Sequence, residues 1–207
     1  MQLYYYEVMN PRKACAVAKY LELPVEFVHV DLGKGEHKTP EYLAMNPNGK
    51  VPTLKDGDYT LWEANAIMCY LSNAAKSDLW PQDVMRQIEI MRWLSWDSQH
   101  FVRATVSIYF ERLIRPMFNL GPADEAALTE AETNFKHFAA VLEQHLTDRE
   151  YLVADKLSVA DFAVGVTFPY AEKIKLPLAE FPAIRRWHDR LNQLPAWQNP
   201  FPKRPKQ

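Results

Sequence analysis

The sequence predicts a small α/β domain followed by an all-helical one. Three observations carry this. In the first part of the chain, short aromatic and β-branched runs alternate with amphipathic stretches. From about Asp83 onward the strand pattern stops and long helical periodicities take over. Proline and glycine at Pro116, Gly121-Pro122, Pro177, Pro182 and Pro195 then punctuate the helical stretches.

Taken in order, "QLYYYEV" from Gln2 is rich in strand-forming residues, and alternation puts Tyr4 and Tyr6 on one face and Tyr5 on the other. "PRKACAVAKYLEL" follows with Ala14, Val17, Ala18 and Leu21 at i, i+3, i+4 and i+7, an amphipathic helix for which Pro11 suits the start. "PVEFVHVDL" reads as a second strand, apolar on both faces. A strand-helix-strand unit of this size implies a parallel pair with a right-handed crossover. A loop, a short helix around Pro40 to Met45 and a turn come next. "KVPTLKDGDYTLWE" gives two short strands, with Asp56-Gly57 as the hairpin signal, and a helix from Leu61 to Asn73 closes the unit. Further helices are expected at Val84 to Ile114, Glu125 to Leu146, Val159 to Ile174 and Ala183 to Leu191. The boundaries predicted are 1–76, a linker at 77–83, and 84–207.

Composition sets limits on function. Apolar residues are 48% and charged residues 24% of the chain, the balance of a globular protein. The formal net charge of -2 argues against nucleic acid as the main partner, since such domains are strongly basic. The one basic cluster, Lys203 to Lys206, reads as a frayed, solvated end. Two distant cysteines, Cys15 and Cys69, make neither a disulfide framework nor a metal site. "MQLYYYEVMN" is no secretory signal, and no apolar run reaches the roughly 20 residues that span a bilayer. A soluble, cytoplasmic protein without membrane contact is expected.

Two stretches carry candidate chemistry. In "NPNGKVPTL", Pro52 opens a strand that it cannot fully pair. Either an edge strand begins there, or a cis Val51-Pro52 bond turns the N–H and C=O of Val51 outward, where a peptide could add as a strand. In "TLWEANAI", Thr60 and Glu63 match a capping box, with Trp62 packed beneath. The same helix start also offers amides to a carboxylate, while Glu63 could take an adjacent ammonium. Ser158 and Asp161 form a second capping box, which assigns Asp161 to folding rather than catalysis.

These strings, with "YLVADKLSVADFAV" and "FPAIRRWHDRLNQLPAW" in the second half, resemble the soluble, cytosolic-type glutathione transferases, bacterial members among them. The resemblance covers almost the whole chain. It implies a thioredoxin-like first domain (β-α-β-α-β-β-α) and an all-α helical-bundle second domain. It implies glutathione as co-substrate, no metal, a small hydrophobic electrophile as second substrate, and a homodimer. Glu63 and Ala64 would hold the γ-glutamyl head, Val51 would pair with the cysteinyl main chain beside cis Pro52, and Lys50, His37 and Lys38 would lie near the glycyl carboxylate. The family commonly has serine where this chain has Ala64, which removes one hydroxyl contact to the ligand.

Conjugation needs the thiolate, so a donor must face the sulfur. Val8 falls where many members have serine and has nothing to donate. Asn10 and Tyr6 are the candidates. Asn10 also suits a helix N-cap before Pro11, and core packing is the competing role for Tyr6. Cys15 lies too far along the first helix to be a nucleophile and is read as a buried residue. Trp96, Asp97 and His100 fall close together on one helical face and would line an electrophile pocket. A glutathione-dependent peroxidase or disulfide reductase on the same site, and a non-catalytic binding module of the same family, are the alternative readings.

Overall fold

The computed structural model of the chain describes residues 1–203. The expected frayed end therefore falls outside the described residues from position 204 on. The chain packs as two compact units. One runs from Met1 to Gln82 and takes up the segment that begins at Asn192; the other is Asp83–Leu191.

The first unit contains strand β1 (Gln2–Tyr5), helix α1 (Met9–Tyr20), β2 (Glu26–His29), a 3-10 turn (Glu36–Lys38), α2 (Pro40–Met45), β3 (Thr53–Asp56), β4 (Tyr59–Trp62) and α3 (Ala64–Ala74). The sheet order is β2-β1-β3-β4. β1 runs parallel to β2, with Tyr5 opposite His29, and antiparallel to β3, with Tyr4 opposite Thr53. β3 and β4 form a hairpin whose Asp56 faces Tyr59 across Gly57-Asp58. Gly57 has φ 58, the left-handed backbone that a two-residue hairpin turn demands. Leu3, Tyr5 and Leu54 point to the buried face, against Ala14, Val17 and Ala18 of α1 and Ile67, Met68 and Leu71 of α3. β2 is an edge strand with an exposed Glu26, so it is not covered on both sides as its apolar pattern suggested.

The second unit is helical: α4 (Val84–Trp96), a π-helical turn (Asp97–Phe101), α5 (Val102–Tyr109), a second π-helical turn (Phe110–Ile114), α6 (Arg115–Met117), α7 (Glu125–Leu146), α8 (Val159–Val164) and α9 (Pro182–Leu191). Asp83 and Asp124 cap α4 and α7 through their side chains. Phe101, Phe135, Phe162, Phe168 and Trp187 fill the core. Asp161 organises the turn before α8. Its carboxylate accepts from the Leu152 N–H, from the N–H and hydroxyl of Ser158, and from Trp187 Nε1 at 2.9 Å. The Ser158–Asp161 capping box is present, and the fully buried Asp161 serves the fold. Glu143 accepts from the N–H groups of Ala183 and Ile184, closing the start of α9 with a charge that suits a helix N-terminus.

The last turn of helix, α10 (Pro195–Gln198), packs on α1 in the first unit rather than on the helical bundle. Arg12 Nη2 donates to the Trp197 carbonyl and stacks over its ring, Lys19 Nζ donates to the carbonyls of Asn199 and Phe201, and Phe201 stacks on Tyr5. Trp197, an apolar anchor, is fully buried there.

Candidate glutathione site

Strand register assembles the site. β1 and β4 end, and β3 begins, at the same end of the sheet. Tyr4 faces Thr53 and Thr53 faces Trp62. The loop from Tyr6 to Val8, the Val51-Pro52 turn and the Glu63-Ala64 helix start are therefore neighbours at one end of the sheet. Among the sequence-predicted residues, these three groups are brought together by topology alone.

Val51-Pro52 is cis. Within the described residues, no backbone hydrogen bond engages the N–H or C=O of Val51. The turn before it is held by buried polar groups. Tyr42 OH and Asn46 Nδ2 each donate to the Lys50 carbonyl at 2.7 Å. Thr53 Oγ1 lies 2.8 Å from Tyr42 OH and accepts from Asn46 Nδ2 at 3.0 Å. Asn46 Oδ1 accepts from the N–H and the side chain of Asn48, an Asx turn. Burial pushes the Tyr42 phenol up, which keeps it a donor. Sequence reading missed Tyr42, Asn46 and Thr53. The one signal available was Asn46 placed two residues before Asn48, the spacing of an Asx turn.

Gly49 joins this turn to the loop carrying His37 and Lys38. It has φ +56, and an added Cβ would stand 3.0 Å from Lys38 Nζ and 3.1 Å from the His37 carbonyl. Lys38 and Lys50 are exposed cations and His37 is a half-buried imidazole. Burial, then the neighbouring Lys38 charge, hold His37 below the usual imidazole range.

Glu63 does not close a capping box with Thr60. Thr60 is a strand residue, paired with Lys55 in β4, and the helix starts only at Ala64. Glu63 is itself the N-cap, at φ 72 and ψ 115, and makes no side-chain cap bond. A non-glycine residue in that region is strained by about 1–3 kcal/mol, and such strain gathers at functional sites. The strained backbone turns an exposed carboxylate out beside the first amides of α3, which have no intrahelical acceptor. Trp62 does not pack beneath it: at 41% exposure it stands on the surface at the end of β4.

α1 begins two residues before Pro11, with Val8 as N-cap and no side-chain cap bond. Asn10 is thus not the cap but an exposed first-turn residue. Tyr6 is half-buried, its ring centroid 5.4 Å from His29, on the β2 side of β1 and away from β3 and β4. Cys15 is buried inside α1 and burial holds its thiol far above the ordinary range. The chemistry of a reactive cysteine is closed to it.

Of the three residues expected to line an electrophile pocket, Trp96 and His100 both meet Phe138, and Asp97 departs from them. The π-helical turn that starts at Asp97 changes the angular spacing along the helix. Asp97 goes inward, at 1% exposure. Trp96 stacks on Phe101 and meets Phe138 edge-on. His100 stacks on Phe138 and borders an open cavity of about 410 Å³ between α5 and α7, whose floor is Ala104, Ala127 and Ala131. No group of three or more His, Cys, Asp or Glu able to hold a metal occurs among the described residues. No helix is long and apolar enough to cross a membrane, among the same residues.

Fold and site define a thioredoxin-like protein with a helical second unit and a cis-proline turn at the end of its sheet. The comparisons with known proteins agree. Residues 1–73 match the family described as Glutathione S-transferase, N-terminal domain, and residues 100–195 match Glutathione S-transferase, C-terminal domain. The chain is 35% identical to a probable glutathione S-transferase of Oryza sativa subsp. japonica, over 91% of this chain and 89% of that one. It is 32% identical to glutathione S-transferase 1 of Schizosaccharomyces pombe, over 95% and 93% of the two chains. Among solved structures, a theta class glutathione S-transferase of Xanthomonas axonopodis pv. citri, with glutathione bound, aligns with TM-score 0.85 and 29% identity over 96% of this chain and 95% of that one. Glutathione S-transferase-I bound with lactoylglutathione aligns with TM-score 0.87 and 28% identity, over 96% and 97%. This chain belongs to the glutathione S-transferase family.

Proposed function

We propose that the protein conjugates the thiolate of glutathione to a small hydrophobic electrophile. The observation that carries this is the shared sheet end, where the unpaired main chain of Val51 lies beside the Glu63-Ala64 helix start. Those two features are complementary to one ligand. Glu63 takes the α-ammonium of the γ-glutamyl group and the amides of Ala64 and its neighbours take the α-carboxylate. The Val51 N–H and C=O pair with the cysteinyl main chain beside Pro52, as an added strand. Lys50, Lys38 and His37 face the glycyl carboxylate.

The thiol gives its proton to solvent, the thiolate sulfur attacks the electrophilic carbon, and the leaving group departs with the bonding pair. Of the two candidates for the group that favours the thiolate, the geometry supports Asn10. It is exposed in the first turn of α1, whereas the Tyr6 ring leans on His29. For the second substrate, Trp96 and His100 share the Phe138 ring and are our candidates for contact; the buried Asp97 is not.

The reading includes a homodimer. Val84, Ile88 and Met91, at i, i+4 and i+7 of α4, are 64%, 52% and 51% exposed and form an apolar stripe suited to a second copy. It also places the activity in the cytoplasm, whose reducing poise supplies the free thiol.

The test is calorimetric titration of glutathione into the protein and into Glu63→Ala, followed by assay with a nitro-aryl chloride beside a small disulfide. Binding that is lost in the variant, with turnover of the aryl chloride, is the expected result. No binding at millimolar glutathione would refute the reading, and turnover of the disulfide alone would replace conjugation by reduction.

A further inference from the structure

We infer that Asn46 and Tyr42 are positioning residues, which aim the Val51 N–H at the cysteinyl carbonyl of glutathione. This rests on the glutathione reading above and deepens it. The Lys50 carbonyl and the Val51 N–H belong to one peptide unit, and that unit is trans, because the cis bond lies one residue later. In a planar trans peptide the N–H points opposite to the C=O. Whatever fixes the carbonyl therefore fixes the donor.

Two donors fix it, Tyr42 OH and Asn46 Nδ2, each at 2.7 Å. Both belong to buried side chains, at 4% and 2% exposure. Thr53, fully buried, ties the two together through its hydroxyl. The far side of Asn46 is held by Asn48, so its amide cannot rotate without breaking further bonds. Buried polar networks of this kind hold one geometry because each member's alternative is an unsatisfied group. With the carbonyl held by these buried donors, the Val51 N–H points away from them, and it is this face of the peptide that the ligand would pair with. The anchor and the ligand thus meet opposite faces of the same peptide plane, and neither Asn46 nor Tyr42 needs to touch the ligand.

The consequence is specificity for a good acceptor at the cysteinyl carbonyl. The test compares glutathione with its isosteric thioamide at that carbonyl, a weaker acceptor, using dissociation constants from calorimetry. The unaltered protein should prefer glutathione by about fivefold to tenfold, the worth of one ordinary hydrogen bond. Asn46→Ala and Tyr42→Phe should lower that preference below about twofold. A purely structural role would lower the fraction folded, which weakens both ligands equally and leaves the ratio alone. Tyr42→Phe removes one hydroxyl and keeps the ring, so it serves where Asn46→Ala fails to fold. An unchanged ratio in folded variants that still bind glutathione overturns the inference and leaves the glutathione reading standing. Failure of the unaltered protein to bind either ligand overturns both.

Discussion

Thr53 and Trp62 stand directly opposite each other in the β3–β4 ladder. One is two residues past Val51, the other one residue before Glu63. A slip of one residue in this ladder would turn every side chain of β4 to the other face and separate the two halves of the site. The hairpin turn at Gly57 fixes the register, so a local backbone requirement four residues from Thr53 determines how the Val51 turn and the Glu63 helix start are aligned.

Glu63 combines a strained backbone with an exposed carboxylate. Glycine adopts φ 72 without a steric penalty, although it loses more entropy on folding. Glu63→Gly should therefore gain about 1 kcal/mol of stability while losing glutathione binding. Glu63→Gln, which keeps the strain and removes the charge, should weaken binding with no gain in stability. Denaturant midpoints and calorimetry read the two effects separately. A less stable Glu63→Gly protein would show that the strain at this position is smaller than the entropy glycine loses on folding.

Ala64 is the first residue of α3 and is buried. A serine there would present a hydroxyl beside the helix amides. A hydrogen bond to a charged acceptor contributes roughly 1.5–3 kcal/mol, so Ala64→Ser should tighten glutathione binding about tenfold to a hundredfold. Titration of both proteins checks this. An unchanged constant would mean that the ligand carboxylate is held elsewhere.

The parts of the fold that local chemistry dictates were legible in the sequence. Asp-Gly between alternating runs gave the hairpin, and Ser158 with Asp161 gave the start of α8, because each signal is complete within four residues. The Thr60–Glu63 pattern is equally short but misleads. Thr60 is claimed by its ladder partner Lys55, and strand pairing overrides a cap that local spacing allows. Asn10 failed as a cap for a related reason. Pro11 marks the first turn of α1 but not its first residue, and any of the first N–H positions tolerates a missing donor. The clamp on the Lys50 carbonyl was out of reach. Tyr42 reads as the apolar side of a short helix, Thr53 as a strand residue, and only the closing of the loop brings them together. The return of α10 to α1 was likewise invisible, since Trp197 carries no mark of which core it fills.

Gly49 is a position where a methyl group should be costly. Its φ of +56 disfavours any side chain, and a Cβ would meet Lys38 Nζ, the His37 carbonyl and Leu43 Cδ2 within 3.0–3.1 Å. Gly49→Ala should cost more than about 1 kcal/mol of stability, by the backbone term alone. Because the lysine head must move, glutathione affinity should fall as well. Lost stability with unchanged affinity would remove Lys38 from the glycyl end of the ligand.

Asp161 gives the molecule a pH dependence of unusual sign. Burial pushes its carboxyl up to about 6, against four donors that favour the charged form. In the unfolded chain an aspartate titrates near about 3.9. The folded state therefore binds the proton more tightly, and stability from this group is fully present below the unfolded value and is lost as pH rises through the folded one. Glu111 works in the opposite direction. Arg115, then the Asp124 N–H, hold it below the usual carboxylate range, so its contribution is present above the unfolded pKa and is lost as pH falls through the folded one. Comparing the unaltered protein with Asp161→Asn at each pH isolates the first effect. The variant should be less stable throughout, because an amide offers hydrogens where Ser158 and Trp187 already donate. Its deficit should grow by about 1 kcal/mol between pH 7 and pH 5, as the unaltered carboxyl takes up its proton. A deficit that shrinks over the same range would mean that the four donors outweigh burial and hold Asp161 ionised.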